Sequence, residues 1–243
     1  MSGENKNVSI IASIISAAGL IISAIITSGY LYIHNEPVAP VDTVEHSVSS
    51  EHITKSSYDK ALEAAEKARE EAAKAEEAAN KAEEAEREGK KAAQRADAGQ
   101  GGYGYLTFDG GEYSGEVREG IAHGHGKLIY SNSFYIGEFQ NNSFHGYGVY
   151  RWDDDPTDSD LFKGEFINNS RNGYGVYRWK NGNVYKGEHI NSIIVGYGIF
   201  IYSDSSHYDG EFEACLNSGF GVRYKKNGEI DLAGEWQNDK FIG

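Results

Sequence analysis

The sequence is poor in cysteine and in basic residues, and each shortage excludes a class of structure or partner. Its 243 residues include a single cysteine, Cys215, which excludes an internal disulfide but leaves the compartment open. Lys and Arg number 23 against 37 Asp and Glu, for a formal net charge of −14 at pH 7. Since an acidic chain repels phosphate backbones and anionic headgroups, we expect no nucleic-acid partner and little direct lipid contact by the C-terminal part.

Charged residues are also missing from Val8 to Ile33. At about 1.5 Å per residue this run exceeds the ~30 Å hydrocarbon core of a bilayer. We therefore predict a tail over 1–7 and a transmembrane helix over 8–33, with a cleaved signal peptide as the alternative. Because Lys6 precedes the run and acidic residues follow it, the sequence predicts a single-pass membrane protein with a cytoplasmic N-terminus and extracytoplasmic repeats.

Small residues recur along this run at steps of three and four. Such a stripe lets two helix backbones approach closely, but small residues are also common in membrane helices in general, and both interpretations stay open. The candidate membrane-helix seam consists of Ser9, Ala12, Ser16, Gly19 and Ser23.

A linker over 34–54, with Pro37 and Pro40, leads to residues 55–98, which are nearly all Ala, Glu, Lys and Arg. These strong helix formers predict one long helix. Its heptad pattern is compatible with a coiled coil, although alanine buries little apolar area, and a single charged helix acting as a rigid spacer is the alternative. The predicted seam consists of Tyr58, Ala61, Ala65, Ala68, Ala72, Ala75, Ala79 and Ala82.

Residues 99–243 contain a repeat. A motif of an aromatic residue, any residue, Gly and Glu, as in Tyr113 to Glu116, recurs every 22 to 27 residues, and Gly-x-Gly follows nine residues after most of its glycines. Alternation of period two around turn residues predicts one β-hairpin per unit, about five full units with partial ones at each end. The repeat-defining glycines are Gly115, Gly124, Gly126, Gly137, Gly146, Gly148, Gly164, Gly173, Gly175, Gly187, Gly196, Gly198, Gly210, Gly219, Gly221 and Gly234.

An aromatic residue lies between the paired glycines of nearly every unit, and stacked units would align these rings on one face. Strand glycines are costly unless a large side chain packs on their bare backbone, and the aromatic head of each motif is the candidate. The row between the paired glycines gives the groove and partner-binding candidates Tyr103, Tyr147, Tyr174, Tyr197 and Phe220.

The arrangement Y-x-G-E-x-x-x-G-x-x-x-G-x-G over residues 102–243 resembles the MORN repeat family. The resemblance implies a mainly β fold: an elongated, curved, single-layer antiparallel sheet of stacked hairpins with an aromatic groove, here preceded by the long helix or coiled coil and the transmembrane helix. It also implies a scaffold that dimerises or holds membranes in apposition, and some members of the family contact phosphoinositide lipids. The acidic charge favours a protein partner over lipid.

Sites for metals or catalysis are not expected. His125 occupies the aromatic slot of its unit and lacks further ligands beside His123, and Lys127 has no P-loop around it. The aspartates of an insertion over 152–160 lack the glycine and distal Glu of an EF-hand, so a solvated hairpin tip is favoured over a calcium site. We expect no enzyme, cofactor, metal or small-molecule substrate.

Two functions follow. The first is a membrane-anchored scaffold that projects the repeats for protein binding or self-association, including homo-oligomers. The second is a module that binds carbohydrate, cell wall or lipid headgroups at the membrane surface, because aromatic rows beside carboxylates can stack on sugar rings.

Overall fold

The computed structural model describes residues 10–15, 21–27, 30–35, 55–153 and 159–243. The chain divides into two units, Met1–Ser50 and Glu51–Gly243. The first unit contains a three-stranded antiparallel sheet in the order β1-β2-β3. Its strands are β1 (Ile10–Ile15), β2 (Ile21–Thr27) and β3 (Tyr30–Asn35).

The predicted transmembrane helix over 8–33 is wrong, because the described residues of this range form strands. Across the described parts of both units, no helix combines the length and the apolar character needed to cross a bilayer. The prediction rested on length and apolarity, which do not separate helix from strand, whereas the abundant β-branched isoleucine favours extended backbone. The predicted single-pass topology, with a cytoplasmic N-terminus and extracytoplasmic repeats, is therefore also wrong.

The candidate membrane-helix seam has no helix to lie on. Ala12 lies on β1 and Ser23 on β2, where Ala12 pairs with Ala24 and Ser23 with Ser13. Ser9, Ser16 and Gly19 lie outside the described residues, as do the tail over 1–7 and residues 36–54 of the linker.

The second unit begins with helix α1, Lys55–Asp97, where composition predicts a helix over 55–98. It ends in a glycine cap: Gly99 has a φ of 65°, its N–H donates to Ala96 O and Gln100 N–H donates to Arg95 O, both at 3.0 Å. The chain then turns at Gly102, φ 83°, into the first strand of the large sheet.

Thirteen antiparallel strands follow in sequence order, which confirms the prediction of a mainly β, open antiparallel sheet of stacked hairpins. They are β4 (Tyr103–Phe108), β5 (Gly111–Arg118), β6 (Ile121–Ile129), β7 (Phe134–Gln140), β8 (Ser143–Arg151), β9 (Leu161–Ile167), β10 (Ser170–Arg178), β11 (Val184–Ile190), β12 (Ile193–Ile201), β13 (His207–Glu213), β14 (Leu216–Tyr224), β15 (Ile230–Gln237) and β16 (Lys240–Phe241).

Tight turns join the strands at one end of the sheet and bind one another. Both residues of these two-residue turns have positive φ, as in Asn168 (49°) and Asn169 (68°), which is the backbone that matches strand twist. Asn169 N–H donates to Phe144 O at 3.1 Å, and Asn169 Oδ1 accepts from Phe144 N–H at 2.7 Å. The turns from Asn142 onward are each fixed on the preceding hairpin by such a backbone bond.

The aromatic head of each motif fills one face of the sheet. Tyr113, Tyr135, Tyr185 and Tyr208 are at most 1% exposed, and burial raises the pKa of each phenol above its ordinary value. Their hydroxyls donate to the carbonyl of the motif's glutamate, as from Tyr113 Oη to Glu116 O at 2.7 Å. A core of further aromatics surrounds these rings.

One member of this core is polar. His189, 1% exposed, occupies the position that holds Phe139, Phe166 and Phe212 in other units, and it packs edge-on against Phe162. Neither of its ring nitrogens has a hydrogen-bond partner. Burial, together with the nearby Arg171 guanidinium, lowers the pKa of His189 to about 3.

His189→Phe should raise the free energy of unfolding at neutral pH by about 1 to 3 kcal/mol, because it removes unsatisfied buried nitrogens. In the wild type, the unfolded histidine takes up a proton below about pH 6.5 while the folded one stays neutral down to about 3. The stability advantage of the variant should therefore grow as pH falls through that window. Urea unfolding between pH 7 and 4 measures it, and a pH-independent difference would contradict the account.

Ala214, with a φ of 50°, occupies the turn position that holds Asn141, Asn168 and Asn191 elsewhere. Asparagine tolerates the left-handed region better than alanine does. Ala214→Asn should raise the free energy of unfolding by about 1 kcal/mol, and the matched reverse change, Asn168→Ala, should lower it by a similar amount. Equal stability of Ala214→Asn and wild type would contradict this interpretation of the turn.

Candidate functional site: a helix-filled groove over a glycine ladder

A ladder of glycines runs across the sheet at right angles to the strands. Each ladder glycine pairs directly with the next, from β4 to β15, so the row continues through every hairpin. The row consists of Gly104, Gly115, Gly126, Gly137, Gly148, Gly164, Gly175, Gly187, Gly198, Gly210, Gly221 and Gly234.

Aromatic rings occupy one face of the ladder. A Cβ added at Gly126 would lie 2.4 Å from the Tyr113 ring, and one added at Gly148 would lie 2.3 Å from Tyr135 Oη. Only glycine fits beneath these rings, as the sequence predicts. A Cβ on any ladder residue would point to this face. The opposite face of the ladder is therefore bare backbone, which another element can approach closely.

The remaining repeat glycines have a different role. Gly124, Gly146, Gly173, Gly196 and Gly219 have positive φ, and at Gly124, φ 72°, an added Cβ would lie 2.5 Å from the Glu116 carboxylate. That carboxylate accepts from the N–H of His125 at 3.1 Å, and Glu138 accepts likewise from Tyr147 at 2.8 Å. The motif's glutamate therefore satisfies a backbone donor at the β-bulge that follows the glycine.

Helix α1 lies along the bare face of the ladder. It contacts every strand from β4 to β15, and the alanines predicted as a coiled-coil seam are buried against this sheet. At Gly89 an added Cβ would lie 2.7 Å from both Gly126 O and Ile136 Cγ2. The row in closest register, one residue every seventh position, consists of Ala61, Ala68, Ala75, Ala82, Gly89 and Ala96.

The predicted coiled coil, and the free spacer that was its alternative, are therefore both replaced by packing within the chain. Alanine and glycine are required because a larger side chain would hold the helix away from the sheet backbone. Tyr58, the first residue of the predicted seam, is 37% exposed.

The predicted aromatic row faces α1, and a cation of the helix lies over each ring. The distances from cation to ring centroid run from 5.0 to 5.5 Å, within the range for cation–π attraction. The pairs are Lys60 with Phe220, Lys67 with Tyr197, Lys74 with Tyr174, Lys81 with Tyr147, and Arg95 with Tyr103.

The helix and the sheet share one period. Successive cations are seven residues apart, about 10.5 Å along a helix, while one hairpin of two strands advances about 9.6 Å across a sheet. The two lengths agree within about a tenth, so one heptad serves one hairpin along the whole groove.

The exception to the cation row coincides with the exception to the aromatic row. Where the sheet has His125, the helix has Glu88 in place of a lysine. The pKa of Glu88 is lowered by a hydrogen bond from Lys91 and, to a smaller degree, by the charge of His125. His125 thus belongs to the helix interface, and among the described residues no cluster that could hold a metal is found.

A second row of charged contacts, also spaced by seven residues, follows the other side of α1. Arg69 Nε donates to Asp209 at 3.0 Å, and the Glu76–Lys186 and Glu83–Lys163 pairs each measure 2.5 Å. Asp209 is 1% exposed, and burial raises its pKa against the opposing effect of Arg69. The helix is therefore fixed in rotation as well as in register.

The sequence model of the MORN repeat family matches the chain over residues 113–133, 135–156, 162–184 and 185–207. This part of the chain consists of MORN repeats. MORN repeats commonly mediate protein or membrane-lipid interactions. No curated protein was found to match the chain. The period and hairpin pattern continue beyond the matched ranges, to β4 on one side and β15 on the other.

The groove face of the sheet can be predicted from the sequence, but the helix that fills the groove was not predicted. From the sequence, the lysines at 60, 67, 74 and 81 resemble an ordinary solvated helix face. The feature that could have indicated their role is their heptad spacing, which is close to the width of two strands. Of the acidic insertion, residues 154–158 lie outside the described part, and Asp160 accepts from Tyr177 Oη at 2.9 Å. The solvated hairpin tip, favoured over a calcium site, stays a prediction.

Ala75→Leu should lower the free energy of unfolding by about 1 to 3 kcal/mol, because Ala75 is fully buried on the ladder and leucine overpacks the interface. Ala73→Leu is the matched control, since Ala73 lies on the exposed side of the same helical turn and should change stability by less than about 0.5 kcal/mol. Urea unfolding followed by circular dichroism measures both. Equal effects would show that α1 does not pack closely on the ladder.

Proposed function

We propose that the chain is a protein-interaction scaffold whose MORN groove binds a helix with small residues on one face and a cation every seventh residue. The single observation that carries the proposal is the register of α1: five helix cations lie over five rings of the sheet. The groove rings Tyr103, Tyr147, Tyr174, Tyr197 and Phe220 are its recognition residues.

The connection between α1 and β4 supports exchange of the helix between copies. It spans five residues, Ala98–Gly102, and an added Cβ at Gly99, Gly101 or Gly102 would meet nothing within 4 Å. A helix that leaves its own groove and enters that of a second copy would form the same contacts, which is the low-cost route to a domain-swapped dimer. Self-association is therefore the form of assembly that we propose.

Stacking of sugars or lipid headgroups on the ladder is not supported by any contact. In the part of the chain that the structure describes, the groove rings face α1 and lie beneath its cations. We therefore propose no carbohydrate or headgroup function for this surface.

Deleting residues 99–101 tests the proposal, because the shortened connection prevents α1 from turning back over its own repeats while leaving all interface residues in place. Light scattering should show twice the mass of one chain, and the circular dichroism spectrum should match that of the wild type. When Ala75→Leu is added to the deletion, the dimer fraction should be smaller than that of the deletion alone. Adding Ala73→Leu should leave the dimer fraction unchanged.

As a second readout, two full-length copies with different tags are unfolded and refolded together, and one tag is captured. The second copy should be captured with it in the deletion variant. A deletion variant that keeps the mass of one chain with intact circular dichroism would contradict helix exchange.

A further inference from the structure

The two outer edges of the large sheet are protected to different degrees. At one edge β15 is covered by the two-residue strand β16, which carries Lys240, and by Gly243, whose O accepts from Glu235 N–H at 2.7 Å. Short strands and lysines keep a sheet edge from pairing with another chain. At the other edge β4, with the sequence YGYLTF, has no charged residue and no proline, and among the described strands it pairs with β5 alone. The β4 edge therefore lacks the usual protection.

Alternate residues of β4 direct their backbone groups to this edge. Gly102 O accepts from a backbone N–H of β5 at 2.9 Å, so every second residue after Gly102 faces β5. The residues that face outward are Tyr103, Tyr105 and Thr107. Tyr103 N–H donates to Gln100 O at 3.2 Å, in the connection from α1. An added antiparallel strand would therefore bind at Tyr105 and Thr107, with about four main-chain hydrogen bonds.

The aromatic face of the sheet has an unfilled position at the same edge. In the later units, a Cβ added at the second glycine of the Gly-x-Gly pair would lie 2.3 to 2.6 Å from the aromatic side chain of the preceding strand. These glycines are Gly126, Gly148, Gly175, Gly198 and Gly221. At Gly104, the corresponding glycine of β4, the nearest described atom is Val117 Cγ2, at 3.5 Å. No described ring therefore lies over Gly104.

The burial of Leu106 shows the same difference. Its counterpart in the next unit, Leu128, pairs with Tyr113 on one side and with Tyr135 on the other, and it is 1% exposed. Leu106 pairs with Tyr113 alone and remains half-buried, although it packs against the aromatic core. An aromatic residue on the outer side of Leu106 would complete the environment that Leu128 has.

The interior register specifies what the added strand carries. In β5, Tyr113 and Gly115 lie opposite Leu128 and Gly126 of the next strand. Gly115 has to be glycine, because an added Cβ would lie 2.5 Å from Gly126 Cα. The same register on β4 requires an aromatic residue followed two positions later by glycine. The motif's glutamate is not required, since the N–H that it would bind, that of Tyr103, is already bonded.

We propose that β4 binds an extended segment of a partner protein as an added antiparallel strand. The segment has an aromatic residue opposite Leu106, with its ring over Gly104 and against Val117, and a glycine two positions later. Residues 1–98 of this chain contain no aromatic residue with this spacing to a glycine, and β15 has Leu232 in the aromatic position, so the segment comes from a different protein. The proposal concerns the sheet edge and does not depend on helix exchange in the groove.

The test uses the full-length protein and a capped, fluorescein-labelled peptide with the sequence of Gly111–Arg118, which has the required spacing. Both glutamates of the peptide are replaced by glutamine, because a protein with a net charge of −14 repels acidic peptides. Fluorescence anisotropy should show saturable binding. Peptides with alanine in place of the tyrosine, or valine in place of the glycine two positions later, should bind about tenfold more weakly. Equal binding of the three peptides, or no saturable binding of the first, would overturn the proposal.

The variant Gly104→Ala locates the site. Because an added Cβ at Gly104 lies at an ordinary contact distance from Val117, the variant should fold with unchanged circular dichroism and thermal unfolding. Its methyl group occupies the position that the peptide ring needs, so affinity for the peptide should fall about tenfold. Gly101→Ala is the matched control, since an added Cβ there meets nothing within 4 Å, and it should bind as the wild type does. Unchanged affinity in Gly104→Ala would contradict the assignment.

Amide hydrogen exchange followed by NMR gives a second readout. The peptide should slow exchange at Tyr105 and Thr107, whose amides face the edge, more than at Gly104 and Leu106, whose amides face β5. Slower exchange elsewhere on the sheet without a change at Tyr105 and Thr107 would overturn the proposal. So would an increase in mass without peptide that Gly104→Ala abolishes, because it would assign the edge to a second copy of the chain.

Discussion

The close approach of an alanine helix to a ladder of glycine backbone determines the rest of this structure. A single-layer sheet has two faces to cover, and here the two are covered by different means. Rings of the motif aromatics cover one face and require glycine beneath them. The bare backbone left on the other face admits only a helix whose contact side is alanine or glycine, and α1 supplies one along almost its full length.

The equality of two periods makes this packing repeat. A heptad advances about as far along a helix as a hairpin advances across a sheet, so each repeat meets the same helix positions. The row of helix cations and the row of salt bridges on opposite sides of α1 use that equality, and the one unit with His125 in place of an aromatic residue has Glu88 in place of a helix cation. Cation–π pairs at exposed positions contribute little each, about 0.5 to 1 kcal/mol, so the buried alanines supply adhesion and the cations supply register.

Much of the repeat region could be predicted from the sequence, because its signals are local: the glycine pairs, the motif aromatics and the turn residues each specify a backbone shape. The packing partner of the alanine seam could not be predicted, because a heptad of alanines fits a coiled coil as well as it fits a glycine ladder. Which of the two forms depends on the surface that faces the helix. The prediction of a transmembrane helix over 8–33 was wrong for a related reason. Length and apolarity show that a segment avoids water, but they do not distinguish a helix from a strand. The isoleucines of β1 and β2 are apolar in either structure.

Because α1 packs along the glycine ladder of its own chain, we expect α1 and the thirteen-stranded sheet to unfold as one unit within a single chain. Native-state hydrogen exchange of the full-length protein, followed by mass spectrometry at two protein concentrations, measures whether they do. Amides between Ala61 and Ala96 should exchange as slowly as those of β7 to β13 in the fraction that is monomeric, independent of concentration. Exchange of α1 that is much faster than that of the sheet, or protection that appears only at high concentration, would contradict it.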